Sequence, residues 1–432
     1  MILRPASLVG ACLITLAMLT LSAGAAPAEN RLTLQRAIEA ALAGNPELKS
    51  FQFRFRASDA LRSQAALRPP VEVGLEAENI LGSGAYKSVD TAETTLALSH
   101  VLELGGKREA RIGLADASRG VLEADLRARQ LDVLTEVTRR FIDVAEKQER
   151  LRLTRLARGL VERTVSESQK RVTAARSPHV ELDRANIAQD RAVLDERRAE
   201  AELTAARRQL AATWGAQDFL IGGVSYDFVD ADLYAVPRIG ETEELQARVA
   251  ANPDFLRYAS EKRLRESELR VAATTRRPDV TFSAGVRRFE ETGDHAVVAS
   301  FSVPLFSKRR SAPFADQARA NLDLTIAQQE MATLRARATL LELHTLLKHA
   351  VNEVETLKGR TLPSMQEALQ ETEYAYKRGR YSYLELVDAQ REYVAIQDSL
   401  IDAGTDAHLL QAEIERLTSA PLSPTTDLRS QP

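Results

Sequence analysis

The chain has 432 residues, 28% of them charged and only 5% aromatic, with a formal net charge of −3. A chain of this length ordinarily forms two or three globular domains, but scarce aromatics and long stretches of Ala, Leu, Arg, Glu and Gln argue instead for extended helices suited to coiled coils. The charge is spread over mixed-sign segments rather than gathered in a basic block, so nucleic acid is not an expected partner.

In chain order, Arg4 precedes an apolar run from Leu8 to Leu21 and the small-residue stretch Ser22-Ala23-Gly24-Ala25-Ala26. This is the order of a secretory signal peptide over residues 1–25, with Ala23-Gly24-Ala25 as the cleavage motif and Ala28 as a later alternative. The run is short for a membrane-spanning helix, and nothing downstream reaches the ~20 consecutive apolar residues that one needs. The single cysteine, Cys12, lies inside the run, so the processed chain is expected to have neither a disulfide nor a thiolate metal site. Leu8-Val9-Gly10-Ala11 offers a lipid-attachment reading of Cys12, but the glycine and the apolar residues that follow the cysteine argue against it.

The remainder echoes itself at an offset of about 205 residues, far longer than the ~20 to 50 of solenoid units. Ala43-Gly44-Asn45-Pro46-Glu47-Leu48 is matched by Ala250-Ala251-Asn252-Pro253-Asp254-Phe255, each with an Asn cap, Pro first and an acid second in the following helix. Leu67-Arg68-Pro69 is matched by Arg276-Arg277-Pro278, and Glu103 to Arg108 falls opposite Leu305 to Arg310. Val180-Glu181-Leu182-Asp183-Arg184-Ala185 falls opposite Leu384-Glu385-Leu386-Val387-Asp388-Ala389. Shared order at all these landmarks argues for duplication.

Each half starts with a helix of about twenty residues, after which the apolar period changes from 3.6 to 2. In 71–79 the apolar residues Val71, Val73, Leu75 and Ala77 alternate with Glu72, Glu76 and Glu78. A second strand is expected over 94–104, and the second half supplies strands over 279–289 and 295–305. These lengths approach the ~9 to 11 residues that cross a bilayer as β-structure. The acids with Ser300 and Ser302 suit a wet lumen, which makes Glu72, Glu76 and Glu78 candidate lumen residues. Four strands cannot close a membrane barrel, which needs about eight, and open edges are not tolerated in lipid. Several chains must therefore share one barrel, unless the strands form a small soluble sheet packed on helices.

Long helices follow the strand pairs, over about 107–175 and about 312–377, the second with a kink expected at Pro363. At ~1.5 Å per residue the first would reach about 100 Å. Turns at Arg176-Ser177-Pro178 and Arg378-Gly379-Arg380 lead to return helices over about 179–214 and about 382–417. The expected organisation is thus a first repeat at 26–214, a linker at 215–240, a second repeat at 241–417 and a flexible tail at 418–432. The fold class is α+β, mainly α.

Over nearly its whole processed length the chain resembles the TolC-type outer-membrane factor family. The residues that carry this are Thr33-Leu34-Gln35-Arg36-Ala37-Ile38 leading to Asn45-Pro46-Glu47-Leu48, and Gly379-Arg380-Tyr381-Ser382-Tyr383-Leu384-Glu385-Leu386-Val387-Asp388-Ala389-Gln390. Glu76-Ala77-Glu78-Asn79, Glu93 to Ser99 and Leu102 to Arg108 are similar to the branch serving cobalt, zinc and cadmium efflux. The resemblance implies a homotrimer in outer-membrane lipid, with a twelve-stranded barrel and a periplasmic helical tunnel. It also implies a periplasmic adaptor and a proton-driven inner-membrane pump of the resistance-nodulation-division class as partners. A drug-efflux or protein-secretion channel would use the same fold, and a periplasmic coiled-coil scaffold or adhesin is the rival of another class.

No catalytic residues, cofactor or metal site are expected. Among the six histidines only His344 and His349 are close, and a separation of five points them about 140° apart on a helix, whereas ligands share a face at three or four. Gly105-Gly106-Lys107-Arg108 lacks the rest of a phosphate-binding loop. Glu181 with Arg184 and Glu385 with Asp388 occupy related positions near the turns, and the family's gate has carboxylates matching Glu385 and Asp388, so these four are the candidate periplasmic gate. Ser177, Pro178, Gly379, Arg380, Tyr381 and Ser382 at the turns are the candidate adaptor contacts.

Overall fold

The computed structural model describes residues 30–419. The expected signal segment 1–25, Cys12 and nearly all of the tail 418–432 lie outside the described residues. The first half runs β1 (Arg31–Leu32), α1 (Leu34–Gly44), α2 (Pro46–Ala65), β2 (Val71–Glu78), β3 (Glu93–Leu102), α3 (Lys107–Thr173) and α4 (His179–Ala212). Three two-residue strands follow, β4 (Leu220–Ile221), β5 (Val224–Ser225) and β6 (Phe228–Val229). The second half runs α5 (Thr242–Val249), α6 (Pro253–Thr274), β7 (Val280–Phe289), β8 (His295–Ser302), α7 (Ser307–Thr356), a π-helical turn (Leu357–Thr361), α8 (Leu362–Lys377) and α9 (Tyr383–Thr418).

The Asn-Pro pairs do more than start helices. The Asn45 side-chain Oδ1 accepts from the amides of Glu47 and Leu48 at 2.9 and 3.1 Å, while its Nδ2 donates to Thr213 O at 2.9 Å, just past the end of α4. Asn252, fully buried, accepts from Asp254 N at 2.8 Å and donates to Arg416 O and Leu417 O at 2.7 and 2.9 Å. Each Asn thereby satisfies open amides at one helix start and open carbonyls at another helix end. The short outer helix and the return helix of each half are locked together by one side chain.

The four longer strands form one antiparallel sheet in the order β2-β3-β7-β8. The halves meet at its centre, from Glu93 opposite Phe289 to Leu102 opposite Val280. One face carries Val73, Leu75, Val297 and Phe301, which are 70, 73, 83 and 71% exposed. At the foot of the sheet Lys107 bonds Asp279 at 2.7 Å, and Arg111 clasps Glu103, fixing strand ends of both halves to the start of α3.

Away from the sheet, α3 is sandwiched between α4 and α9. Val137, Phe141, Val144, Leu203, Leu210 and Ile401 are buried in this core. Ion pairs run along the seam of α3 with α9: Arg416 with Asp132 at 2.6 Å, Arg139 with Glu413 at 3.2 Å, and Arg150 with Asp398 at 2.5 Å and with Asp402. The exposed Arg139–Glu413 pair contributes only about 0–1 kcal/mol, whereas Arg416 and Arg150 are only 16 and 28% exposed and hold the register of the halves.

Two sets of expected bounds need correction, and the segment between the repeats is itself structured. In the stretch 215–240, expected as the inter-repeat linker, β6 pairs with β1, and Phe219, Val229 and Leu233 are buried in the core with α1, α3 and α4. It reads as loop because its strands are two residues long and gain their stability from tertiary packing. The second long helix begins at Ser307 rather than 312, with Pro313 inside its second turn, where only one backbone bond is forfeited. The β3 and β8 ladders stop at Leu102 and Ser302, short of the expected 104 and 305, because the chain turns there toward the helices.

Two stability outcomes follow from these contacts. Asn252→Ala removes a cap and two buried carbonyl partners and is expected to cost about 2 kcal/mol, read as a lower thermal midpoint of the solubilised protein; Asn45→Ala, with one carbonyl partner fewer, is expected to cost less. His408 is held below its ordinary pKa by burial, which outweighs the opposing pull of the Asp232 and Leu233 backbone and the Asp232 charge. The unfolded chain therefore binds more protons than the folded one below about pH 6.5, and stability falls as pH falls through that range. Asp143 and Asp406, held above the usual carboxylate range by burial, oppose this at lower pH. His408→Gln is expected to flatten the loss of thermal midpoint between pH 7 and pH 5; an unchanged slope would assign the loss to other groups.

Candidate functional site

Two regions collect the charged and polar groups singled out in the sequence, one on the sheet and one at the turn end of the helices. On the sheet, strand register puts Glu72, Ser99, Ser283 and Ser300 in one cross-strand row and Glu76, Thr95, Arg287 and Ala296 in another, on the face opposite the apolar one. The serines of β7 and β8 bond each other at 2.9 Å. Arg287 is the hub of this face: it bonds Glu78 at 2.7 Å, Glu93 at 2.6 Å and the Thr95 hydroxyl at 2.9 Å. Glu78 thus has a fixed cationic partner, whereas Glu72 and Glu76 stay exposed without an ion pair among the described residues. Sequence reasoning missed Arg287 and Glu93, although Arg287 falls on the polar parity of its strand.

At the other end the two turns share a backbone design. Ala175 and Gly379 are left-handed, at φ 53° and 74°. The next amide in each case reaches back across the turn, Arg176 to Arg171 O at 2.8 Å and Arg380 to Ala375 O at 2.9 Å. This pattern closes a helix C-terminus by satisfying its open carbonyls. Pro178 then starts α4 without a side-chain cap, while Ser382 caps α9 with its hydroxyl. Tyr381 and Ser382 are exposed and Ser177 is half-buried, so both turns present a small polar surface at the molecule's end.

The four gate candidates divide. Glu385 closes the capping box of α9, its carboxylate accepting from the Ser382 amide at 2.6 Å and hydroxyl at 2.8 Å. First the amide and then the hydroxyl hold this carboxylate below the usual range. Glu181 and Arg184 gather near the phenol of Tyr383, which is pushed up by burial first, then by Tyr376. Arg184 and Asp388 line one groove between α3, α4 and α9, with Arg191, Asp195 and Arg391. No ion pair joins any two of the four among the described residues.

What does hold the two hairpins together here is a cluster absent from the sequence reading. Tyr376, 1% exposed, is buried with Ala185, Tyr383 and Leu386. Its hydroxyl lies 3.1 Å from Ser168 Oγ on α3, and Arg171 stacks 4.4 Å over its ring while donating to its carbonyl at 2.8 Å. One turn further along, the Gln390 amide donates to Thr164 Oγ1 at 3.0 Å. Tyr376 sits three residues before Gly379, and that offset from the turn was the only available signal.

Among the described residues no group of three or more His, Cys, Asp or Glu is placed to hold a metal ion, and no helix is long and apolar enough to cross a membrane.

The sequence model of the "Outer membrane efflux protein" family matches residues 37–216 and again 245–420. The chain is 28% identical over 369 residues to the cobalt-zinc-cadmium resistance protein CzcC of Cupriavidus metallidurans, covering 83% of each. It is 23% identical over 354 residues to the nickel-cobalt-cadmium resistance protein NccC of Alcaligenes xylosoxydans xylosoxydans, covering 82% of this chain and 76% of the relative. Its fold is that of the outer-membrane channel OprN, with a TM-score of 0.72 at 20% identity over 90% of this chain and 91% of that one. CusC gives a TM-score of 0.69 at 16% identity over 90% and 92% of the two chains.

Tyr376→Phe leaves the Ser168 hydroxyl without its partner at a cost of about 1 kcal/mol. Amides of 164–171 and 376–390 are expected to exchange ~5-fold faster in the variant, with the sheet unchanged; equal acceleration throughout would deny the cluster a local role.

Proposed function

Because this chain belongs to the outer membrane efflux protein family, we propose that it is the passive exit channel of a tripartite efflux system, with divalent heavy-metal cations as cargo. As a member of that family it is an outer-membrane protein with its helices in the periplasm. The observation that carries the channel reading is the sheet. Its apolar face is exposed throughout, and β2 and β8 are open edges. Unpaired edge amides and carbonyls cost several kcal/mol each in hydrocarbon, so the edges must pair with other copies until the sheet closes.

The helices support self-association independently. Val180, Ile187 and Leu194 are exposed at seven-residue spacing on α4, and Leu334 and Leu341 on α7. Such stripes suit coiled-coil packing against a neighbouring copy. A homotrimer would close a twelve-stranded barrel whose lumen is lined by Glu72, Glu76 and the Arg287 clasp, and would continue as a helical tunnel. The twofold family match and the element order shared by the two halves support an internal duplication.

Conduction in this scheme needs only that the turn end be closed at rest and open on docking. The Tyr376 cluster and the groove of Arg184, Asp388 and Arg391 form the resting contacts. The turns at Ser177-Pro178 and Gly379 to Ser382 present themselves to a periplasmic adaptor, and an inner-membrane pump of the resistance-nodulation-division class supplies the energy. The metal cargo is supported by the relatives, which are named for resistance to cobalt, zinc, cadmium and nickel. Selection among metals then falls to the pump.

Deletion of the gene is expected to sensitise cells to cobalt, zinc or cadmium and to leave growth in dyes, detergents and antibiotics unchanged. Sensitivity to organic compounds alone would keep the channel and overturn the cargo. A protein recovered in soluble periplasm without a heat-resistant oligomer would sink the channel itself.

A further inference from the structure

Strand register sorts the charges of the sheet. Among the described residues of β2, β3, β7 and β8, the face that carries Glu72 presents four carboxylates, Glu72, Glu76, Glu78 and Glu93, and a single cation, Arg287. Glu78 stands directly opposite Glu93 in the β2 and β3 ladder, beside the loop 79–92 and at the end of the sheet away from the helices. Opposed residues on neighbouring strands have Cβ atoms about 5 Å apart, and like charges so placed destabilise the pairing. The Glu78 and Glu93 pair is the one place in this sheet where two carboxylates oppose each other.

Arg287, on the third strand of the row, removes the conflict. Its Nη2 lies 2.7 Å from Glu78 Oε2, its Nη1 donates to Glu93 Oε2 at 2.6 Å, and its Nε donates to Thr95 Oγ1 at 2.9 Å. The other Glu93 oxygen accepts from Asn79 Nδ2 at 3.0 Å. Asn79 has a left-handed backbone, φ 56°, which asparagine tolerates better than most residues. Both oxygens of Glu93 are therefore taken by N–H donors, and the guanidinium fork bridges the two strands that carry the acids. The Arg287 and Glu93 side chains are only 25 and 22% exposed, so the cluster is set into the wall of the sheet.

Two carboxylates at this spacing suit a divalent cation as well as a guanidinium, because such ions take carboxylate oxygens as ligands. A conduit works only if its cargo is bound weakly enough to leave. The guanidinium occupies the place between the acids, is tethered to the chain, and keeps its proton at any working pH. Glu72 and Glu76 have no ion pair among the described residues, but each stands opposite an uncharged residue, Ser99 and Thr95. Neither therefore offers a second carboxylate at the same spacing.

We propose that Arg287 is a built-in counter-ion that closes the Glu78 and Glu93 pair to divalent cations passing the loop end of the barrel. It acts as a positioning residue: by holding both carboxylates it leaves the lumen acidic at Glu72 and Glu76, which draw cations in, without a two-carboxylate site that retains them. This rests on the channel reading with its metal cargo, and it assigns the residue that keeps that cargo from being trapped on the way out.

The test uses the full-length protein, with the heat-resistant oligomer checked for every variant. In equilibrium dialysis at about 1 mM zinc, the range of sites with few oxygen ligands, Arg287→Gln is expected to bind about one zinc ion per chain more than wild type. Adding Glu93→Gln is expected to abolish the gain, which a mere loss of packing would not do. Arg287→Lys, whose ammonium meets one carboxylate instead of bridging two, is expected to gain about half as much, and it decides the matter if the Gln variant fails to assemble. Assembled variants that bind no more zinc than wild type, or a gain that survives Glu93→Gln, would overturn the counter-ion. In a deletion strain, Arg287→Gln is expected to restore about twofold less zinc tolerance than wild type; equal restoration would overturn its role in transport. A deletion strain as tolerant of zinc as its parent would overturn the cargo reading and that role with it, whatever the dialysis shows.

Discussion

An open sheet edge in hydrocarbon leaves backbone amides and carbonyls with no partner, and no side-chain device repairs a whole row of them. In the proposed channel β2 and β8 are such edges, flanking a sheet whose apolar face is bare. The remaining architecture is organised around that constraint. Because β3 of the first half pairs with β7 of the second, both halves must return to the same place, and every helix leaves from or returns toward one sheet.

Reach sets the second requirement. A helix of 67 residues cannot rely on its own propensity for a defined direction, so it is held from several sides. The row of arginine–carboxylate pairs along α3 and α9 fixes their register, and Asn45 and Asn252 tie each short outer helix to the end of a return helix. The packed segment with β4, β5 and β6 closes the middle.

At the turn end the chemistry is local and modest. Glu385, attractive as a ring-forming carboxylate, is engaged by its own helix start, and its charge is maintained by the Ser382 amide. The stronger link between the hairpins is a buried phenol under a guanidinium, which combines apolar burial, stacking and two hydrogen bonds in one residue.

Local patterns alone sufficed for much of the chain. The Asn-Pro starts, the period-2 alternation of 71–78 and 280–289, the proline-free run after Lys107 and the echo of one half in the other are consequences of backbone sterics and helix or strand periodicity, which act over a few residues. What sequence could not provide were relations between distant residues: Arg287 reaching Glu78 and Glu93, Tyr376 meeting Ser168 and Arg171, and two-residue strands made stable by the core they close. Pro363 announced a kink, but the π-turn that absorbs it, and the Lys358–Tyr234 contact that anchors it, exist only once α3, α7 and the segment between the halves are packed together. Periodicity decided which residues form elements and which face each presents; tertiary packing decided which of the polar groups on those faces are occupied with one another and which remain free, because that depends on distances the chain sets only by folding.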